Sequence, residues 1–408
     1  MQVLTSLLAM IVVARLLGHL FVRMRQPAVV GEMLAGVLLG PAVLGFVHPT
    51  EALAGVSALA VFLVILSAGL EMSFREVLAA MRGRGLVIAL LGFALPFAGG
   101  AAVAQAFGMD IMRTVFLGLC VAITALPVAV KILDDLGLLS TAIARYAIST
   151  AVLNDVVALF VLGIVLGLPA QSTWSEVLSA SSVATVKLLA LIAAVLALNA
   201  TLLWLERRGV NVPAFPERLV AAFGPDALFG VVVVLVLLFG SFTEALGFHF
   251  VIGAFFAALL LDERHFYPQR FEDLKHTLGS VTNGFLAPVF FASLGLEFSF
   301  DALTGRPGFV AAVLAVSIAT KMAAGWWGGL MVGMSHREAL GLGCVLNGRG
   351  VMELVVAGIA YERGFIGQGL FSVLVLMGIV TTLLTPVMFN ALVSARQRAD
   401  YIATGRLP

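Results

Sequence analysis

Ser149-Thr150-Ala151-Val152-Leu153-Asn154-Asp155-Val156-Val157-Ala158-Leu159 lies inside an apolar run from Ile143 to about Gly167. A helix needs roughly 20 apolar residues to cross the hydrocarbon core of a bilayer. The run is long enough, and Asp155 then sits near the membrane midplane. A carboxylate at that depth costs about 2.5–3.5 kcal/mol on insertion scales. A chain keeps such a group where it is paired, hydrated or used. The rest of the sequence reads as the apparatus around it.

The bulk composition agrees. Of 408 residues, 61% are hydrophobic and 12% charged, against about 25% charged in soluble proteins. Mean hydropathy is +1.09. The chain is therefore an all-α polytopic membrane protein. Its net charge of +1 gives no nucleic-acid footprint. Cys120 and Cys344 both fall in apolar runs and read as small core residues. The apolar N-terminus lacks a basic leader and a cleavage site, so it reads as a first span.

About thirteen apolar runs follow one another, roughly 3–22, 28–47, 52–70, 85–107, 112–133, 143–167, 183–205, 219–240, 245–262, 279–298, 309–331, 338–361 and 369–393. With the N-terminus outside, seventeen of the 24 lysines and arginines fall in inside loops. Only Arg113, Arg306 and Arg363 fall outside. This is the positive-inside bias, and it favours an odd number of spans with the C-terminus in the cytoplasm.

An internal repeat is visible. Ser67-Ala68-Gly69-Leu70-Glu71-Met72-Ser73-Phe74 recurs as Ser293-Leu294-Gly295-Leu296-Glu297-Phe298-Ser299-Phe300. Val30-Gly31-Glu32-Met33-Leu34-Ala35-Gly36 is echoed by Ile252-Gly253-Ala254-Phe255-Phe256-Ala257-Ala258. An odd number of spans separates the copies, so they face opposite ways. Inverted repeats of this kind belong to secondary transporters, with the site near the midplane where the repeats meet.

Two spans carry helix-breaking residues at matching repeat positions. The fifth holds Ile123-Thr124-Ala125-Leu126-Pro127-Val128, and Pro127 cannot donate a backbone hydrogen bond. The twelfth holds Leu346-Asn347-Gly348-Arg349-Gly350, where Gly348 and Gly350 weaken the helix. Irregular backbone at membrane depth persists only where it is buried in protein or lines a wet cavity. Paired breaks are the best sequence pointer to a transport site.

Besides Asp155, the deep charges are Lys321, Arg349 and Glu353. Arg349 and Glu353 are four apart and share a face if the helix re-forms after Gly350, so the plain reading is a structural ion pair. Lys321 has three open readings: partner to Asp155, neutraliser of a helix end, or proton carrier. Asn154, Thr124 and Thr150 offer oxygens beside Asp155. Hard cations want oxygen donors, and no histidine pairs at ligand spacing in mid-membrane. One carboxylate that takes either a proton or a monovalent cation gives obligatory exchange. Glu32, Asp134, Asp135 and Asp262 are expected at membrane interfaces as solvated or snorkelling charges, and Glu71 and Glu297 at span ends in capping or turn roles.

These residues resemble bacterial monovalent cation:proton antiporters of the second branch, the NapA-type sodium/proton and Kef-type potassium/proton exchangers. The matching stretches are Gln26 through Gly36, Gly40-Pro41, Gly69-Leu70-Glu71, Pro127 through Leu139, Asn154-Asp155, His249 through Leu261, Pro288 through Leu296, Lys321, and Asn347 through Gly350. The resemblance implies an NhaA/NapA-like fold with two unwound, crossing helices. It implies a dimerisation domain from residues 1–74 and 216–300, a core transport domain from 75–170 and 307–394, and a linker helix at 183–207. It also implies a homodimer in the bacterial inner membrane, contacted by lipid, that works by elevator-type alternating access.

Asp155 matches the ion-binding aspartate of that family, and Lys321 the core lysine. In electrogenic members the lysine pairs with a second aspartate just before the first; here that position is Asn154. The Asn-Asp pair goes with electroneutral exchange of Na+ or K+ for H+. Arg349 through Glu353 lean toward the Kef and plant cation-exchanger variant. No cofactor and no nucleotide-binding regulatory domain is expected in this chain. A sodium-coupled carrier of a small organic anion on the same fold is the alternative; it would want further basic site residues. An intramembrane hydrolase would need a paired acid and base, and only Glu353 is deep enough to join Asp155; the chain does not read as an enzyme.

Overall fold

The computed structural model describes residues 2–24, 26–70, 83–167, 174–209, 211–224, 226–261, 263–394, 396–398 and 401. Glu71, Asp262 and the second half of the 67–74 motif lie outside the described residues.

The described elements are helical, with no strand among them. In chain order they are α1 Gln2–Arg23, α2 Ala28–Leu39, α3 Glu51–Leu70, α4 Gly85–Ala106, α5 Ile111–Ala122, α6 Leu126–Asp135, α7 Ala142–Leu166, α8 Trp174–Arg207 and α9 Ala214–Phe223. There follow α10 Asp226–Ala245, α11 Phe250–Leu260, α12 Pro268–Val281, α13 Ala287–Leu296, α14 Asp301–Gly305, α15 Pro307–Met331, α16 His336–Leu346, α17 Val351–Glu362 and α18 Gln368–Leu392. Among the described residues ten helices are long and apolar enough to cross a membrane, and eleven if the bent pair α16–α17 is one span. The shorter apolar helices α2 and α11 occupy the second and ninth runs.

Some expected boundaries shift. The eighth run is not continuous: α9 ends at Gly224, whose φ of +92° suits glycine and stops the helix, and α10 begins afresh. The tenth span starts early, at Pro268, and passes through a π-helical turn at Thr282–Leu286. Glu32 is a clearer correction. It is not solvated at an interface but 6% exposed, one turn inside α2. Gly18 of α1 lies against it; a Cβ there would meet Glu32 Cγ at 3.3 Å. Asp134 and Asp135 are exposed as expected.

The helices pack as two compact units: Met1–Ala54 with Glu76–Ala158 and Phe291–Pro408, and Gly55–Arg75 with Leu159–Phe290. In the first unit, α2 crosses α13 with almost no side chain between the backbones. A Cβ on Gly36 would lie 1.9 Å from the Ala292 carbonyl oxygen, and one on Gly295 would lie 2.2 Å from that of Met33. In the second unit, a Cβ on Gly69 would lie 2.4 Å from Ala258 Cβ. Gly36 and Ala258 are repeat mates, as are Gly69 and Gly295. The second helix of each repeat thus packs on the third helix of the other. Such exchange is what an inverted repeat requires, and small residues make the close approach possible.

Gly36→Ala is accordingly expected to destabilise the protein by about 1–3 kcal/mol, the usual cost of overpacking. Gly55 has nothing within 4 Å of its missing Cβ. Gly55→Ala is expected to stabilise by about 0.5–1 kcal/mol through helix propensity alone. Thermal melting of the two variants in detergent should move in opposite directions; parallel shifts would contradict the crossing.

Candidate functional site

The two breaks predicted at Pro127 and Gly348–Gly350 meet inside the first unit. Helix α5 stops at Ala122, and Ile123 and Ala125 are extended. Pro127 lies in the first turn of α6, where its missing N–H costs nothing. The same residue could not continue α5, because its ring and lost donor break the ladder to the preceding turn. Helix α16 stops at Leu346, and α17 starts at Val351 after an extended Gly350. Glycine is needed at 350 for space: a Cβ would sit 2.8 Å from Val128 Cγ2. The Ala125 N–H donates to Gly348 O at 3.1 Å, and the Thr124 hydroxyl donates to Leu346 O at 3.1 Å.

A helix that ends in the membrane interior leaves carbonyls unpaired and a partial negative charge. Two buried cations serve the end of α5. Arg349 donates from Nη1 to Cys120 O and from Nη2 to Val121 O, the latter at 2.9 Å. Lys321 Nζ donates to Ala122 O, the next carbonyl, and to the Thr124 hydroxyl at 2.7 Å. Its third donor goes to Gly92 O at 3.0 Å. That carbonyl is free for a local reason: the residue four positions on is Pro96, inside α4, which has no N–H to give.

Lys321 Nζ thus donates at the end of α5 and to Gly92 O rather than to Asp155. No ion pair within 4.0 Å joins Lys321 and Asp155. Arg349 is also fixed through its backbone: its N–H donates to Thr382 Oγ1 at 3.0 Å, and that hydroxyl donates back to Arg349 O at 3.0 Å. Glu353, in the first turn of α17, stands 3.6 Å from Arg349 Nη1. Neither of its carboxylate oxygens makes a hydrogen bond.

Asp155 and Asn154 lie on α7 and are 2% and 1% exposed; Thr150, one turn earlier, is fully buried. Thr150 Oγ1, Asn154 Oδ1 and Asp155 Oδ1 are all buried without a hydrogen-bond partner. The amide of Asn154 points its nitrogen toward Ala122 O and Thr124 Oγ1, at 3.4 and 3.5 Å, leaving its oxygen free. Thr124 is differently placed from the sequence expectation. Its hydroxyl accepts from Lys321 and donates to Leu346, so it belongs to the crossing more than to the oxygen set. Gly92 completes the surroundings: a Cβ there would meet Thr150 Cγ2 at 3.0 Å. No cluster of three or more His, Cys, Asp or Glu side chains suited to a bound metal occurs among the described residues.

Gly92, Pro96 and Thr382 were not singled out in the sequence. Pro96 was the available signal, since a proline in a span always frees a carbonyl four residues back. The C-terminal carbonyls of α5 carry no sequence signature at all.

The chain is 28% identical over 385 residues to the Na+/H+-K+ antiporter GerN of Bacillus cereus, covering 94% of this chain and 95% of that protein. It is also 28% identical to an Na+/H+ antiporter of Enterococcus hirae, over 94% of this chain and 97% of that one. The sodium proton antiporter MjNhaP1 of Methanocaldococcus jannaschii shares the fold, with a TM-score of 0.70 at 14% identity over 96% of this chain and 97% of its own. The profile of the family described as "Sodium/hydrogen exchanger, transmembrane" matches residues 6–395. With its paired helix breaks, exchanged repeats and buried carboxylate, the chain belongs to that sodium/hydrogen exchanger family.

Proposed function

We propose that this protein exchanges a monovalent cation, Na+ or K+, for H+ across a bacterial inner membrane, one for one. The observation that carries the reading is the oxygen set on α7: a buried carboxylate, amide oxygen and hydroxyl without partners, on one helix and beside the crossing. Oxygen donors suit a hard cation. Asp155 balances the charge of either a proton or a cation, so loading one displaces the other. Asn154 and Thr150 add neutral oxygens for the cation.

The one-for-one stoichiometry is supported by Lys321. All three of its donors are engaged by Gly92, Ala122 and Thr124, so its ammonium stays in place as part of the helix-end cap. Exchange then needs only the single charge of Asp155. The same engagement argues against the organic-anion carrier, because Lys321 and Arg349 are both occupied by backbone carbonyls. We further propose elevator-type movement of a core of residues 75–170 and 307–394, linked by 183–207 to a dimerisation domain of 1–74 and 216–300. The named site residues all fall within the proposed core.

The test is proton movement in sealed proteoliposomes with an internal pH dye. Na+, K+ or Li+ is added in turn, with and without an imposed membrane potential. The expected result is a cation-dependent pH change whose rate ignores the potential. Lys321→Gln, which loses one donor, is expected to melt earlier and run slower yet remain insensitive to potential. Potential-dependent exchange in the wild type would sink the one-for-one scheme. Failure of every cation to move protons in intact protein would sink the antiport reading.

A further inference from the structure

A cavity of about 550 Å3 lies wholly within the second unit, in the size range of ligand pockets. Leu198, Leu202 and Leu205 form one wall, on one face of α8, and Val231, Leu235 and Phe239 form another on α10. The end of α8 marks the depth. Arg208 lies 4.3 Å over the half-exposed Trp204 ring, and the helix closes on Arg207. An aromatic and arginines at the end of an apolar helix sit at the membrane–water boundary.

The polar residues of the cavity are few. Asn211 Nδ2 donates to the Tyr267 hydroxyl at 3.2 Å. His265 is 7% exposed, and its Nδ1 lies 3.1 Å from Leu260 O. A carbonyl only accepts, so Nδ1 carries a proton, and in the neutral ring Nε2 then presents a lone pair. That Nε2 is buried with no partner, which costs about 1–3 kcal/mol until a donor reaches it. Arg218, exposed at the cavity, makes no ion pair with the described residues.

An apolar slot, a fixed acceptor and an exposed guanidinium define one ligand chemistry. We propose that this cavity binds a phospholipid whose head is an anionic phosphodiester bearing a free hydroxyl. An acyl chain lies along the α8 and α10 faces, the head hydroxyl donates to His265 Nε2, and the phosphate pairs with Arg218. Neither the transport carboxylate nor the crossing takes part.

The test is lipid retention by the purified protein, measured by native mass spectrometry. The probes are phosphatidylglycerol, phosphatidylethanol, which is anionic but has no head hydroxyl, and phosphatidylcholine, all with the same acyl chains. Phosphatidylglycerol is expected to exceed both phosphatidylethanol and phosphatidylcholine, which share its phosphodiester but lack the head hydroxyl, by about fivefold, the worth of one hydrogen bond to His265 Nε2. Arg218→Gln should lower retention of all three lipids by about tenfold, the worth of one charge-assisted hydrogen bond to the phosphodiester. His265→Asn keeps a donor for Leu260 O and removes Nε2. It should erase the preference for phosphatidylglycerol over phosphatidylethanol. Leu235→Trp should fill the slot and abolish retention of phosphatidylglycerol. Equal retention of all three lipids by the wild type would overturn the proposal. So would phosphatidylglycerol retention that Arg218→Gln and Leu235→Trp both leave unchanged.

Discussion

Asp155→Asn is expected to abolish cation-driven proton movement while leaving the protein as stable as the wild type or more so. The neutral amide can neither release a proton nor balance a cation. It also removes a charge from the membrane interior, where a carboxylate costs about 2.5–3.5 kcal/mol on insertion scales. Asp155 Oδ1 gives up no hydrogen bond in the exchange, because it has none. A dead but stable variant separates a transport residue from a structural one. The measurement is a pair: pH-dye exchange in proteoliposomes and thermal melting in detergent with and without Na+ or K+. Any cation-induced rise in melting temperature in the wild type should vanish in the variant. Full exchange activity in Asp155→Asn would end the proposal that this carboxylate is the exchanged site.

Arg349→Met is expected to do the opposite, losing stability first and activity as a consequence. The change strips Cys120 O and Val121 O of their donors and leaves the Glu353 carboxylate buried without its countercharge. Breaking one side of a buried ion pair costs about 3–5 kcal/mol, and the orphaned carbonyls add to it. Glu353→Met alone should cost less, since that carboxylate makes no hydrogen bond. The double variant should recover a substantial part of the Arg349→Met loss, since the isolated charge disappears. Thermal melting of the four proteins closes the double-mutant cycle. Strict additivity would mean that the two groups do not interact.

How much of this was legible beforehand follows from what kind of signal each residue leaves. Asp155 stood out because a charge in an apolar run is rare and costly. Both helix breaks were visible because proline and glycine act through the backbone, and the repeat offset aligned them. Arg349 and Glu353 were readable from four-residue spacing. The role of Lys321 was not. Depth alone is compatible with a carboxylate partner or a helix end, and only the fold brings Nζ to Ala122. Thr124 was assigned to the cation because it lies beside the break, yet its hydroxyl is used within the crossing. Glu32 was misplaced because a short helix such as α2 gives no reliable depth. Gly224 ended a helix inside an apolar run because hydropathy does not register a positive φ.

The crossing also has a history in the order of synthesis. Lys321 reaches acceptors that lie 229, 199 and 197 residues earlier in the chain, and Thr124 bonds a carbonyl 222 residues later. Chains emerge at about 5–20 residues per second. The unfinished end of α5 therefore waits roughly 10–40 s for its partners. Throughout that interval the first repeat is a set of inserted helices with its gaps still open. Half of this protein is an intermediate awaiting the other half, and its quality control falls late, when the last spans arrive and close the centre.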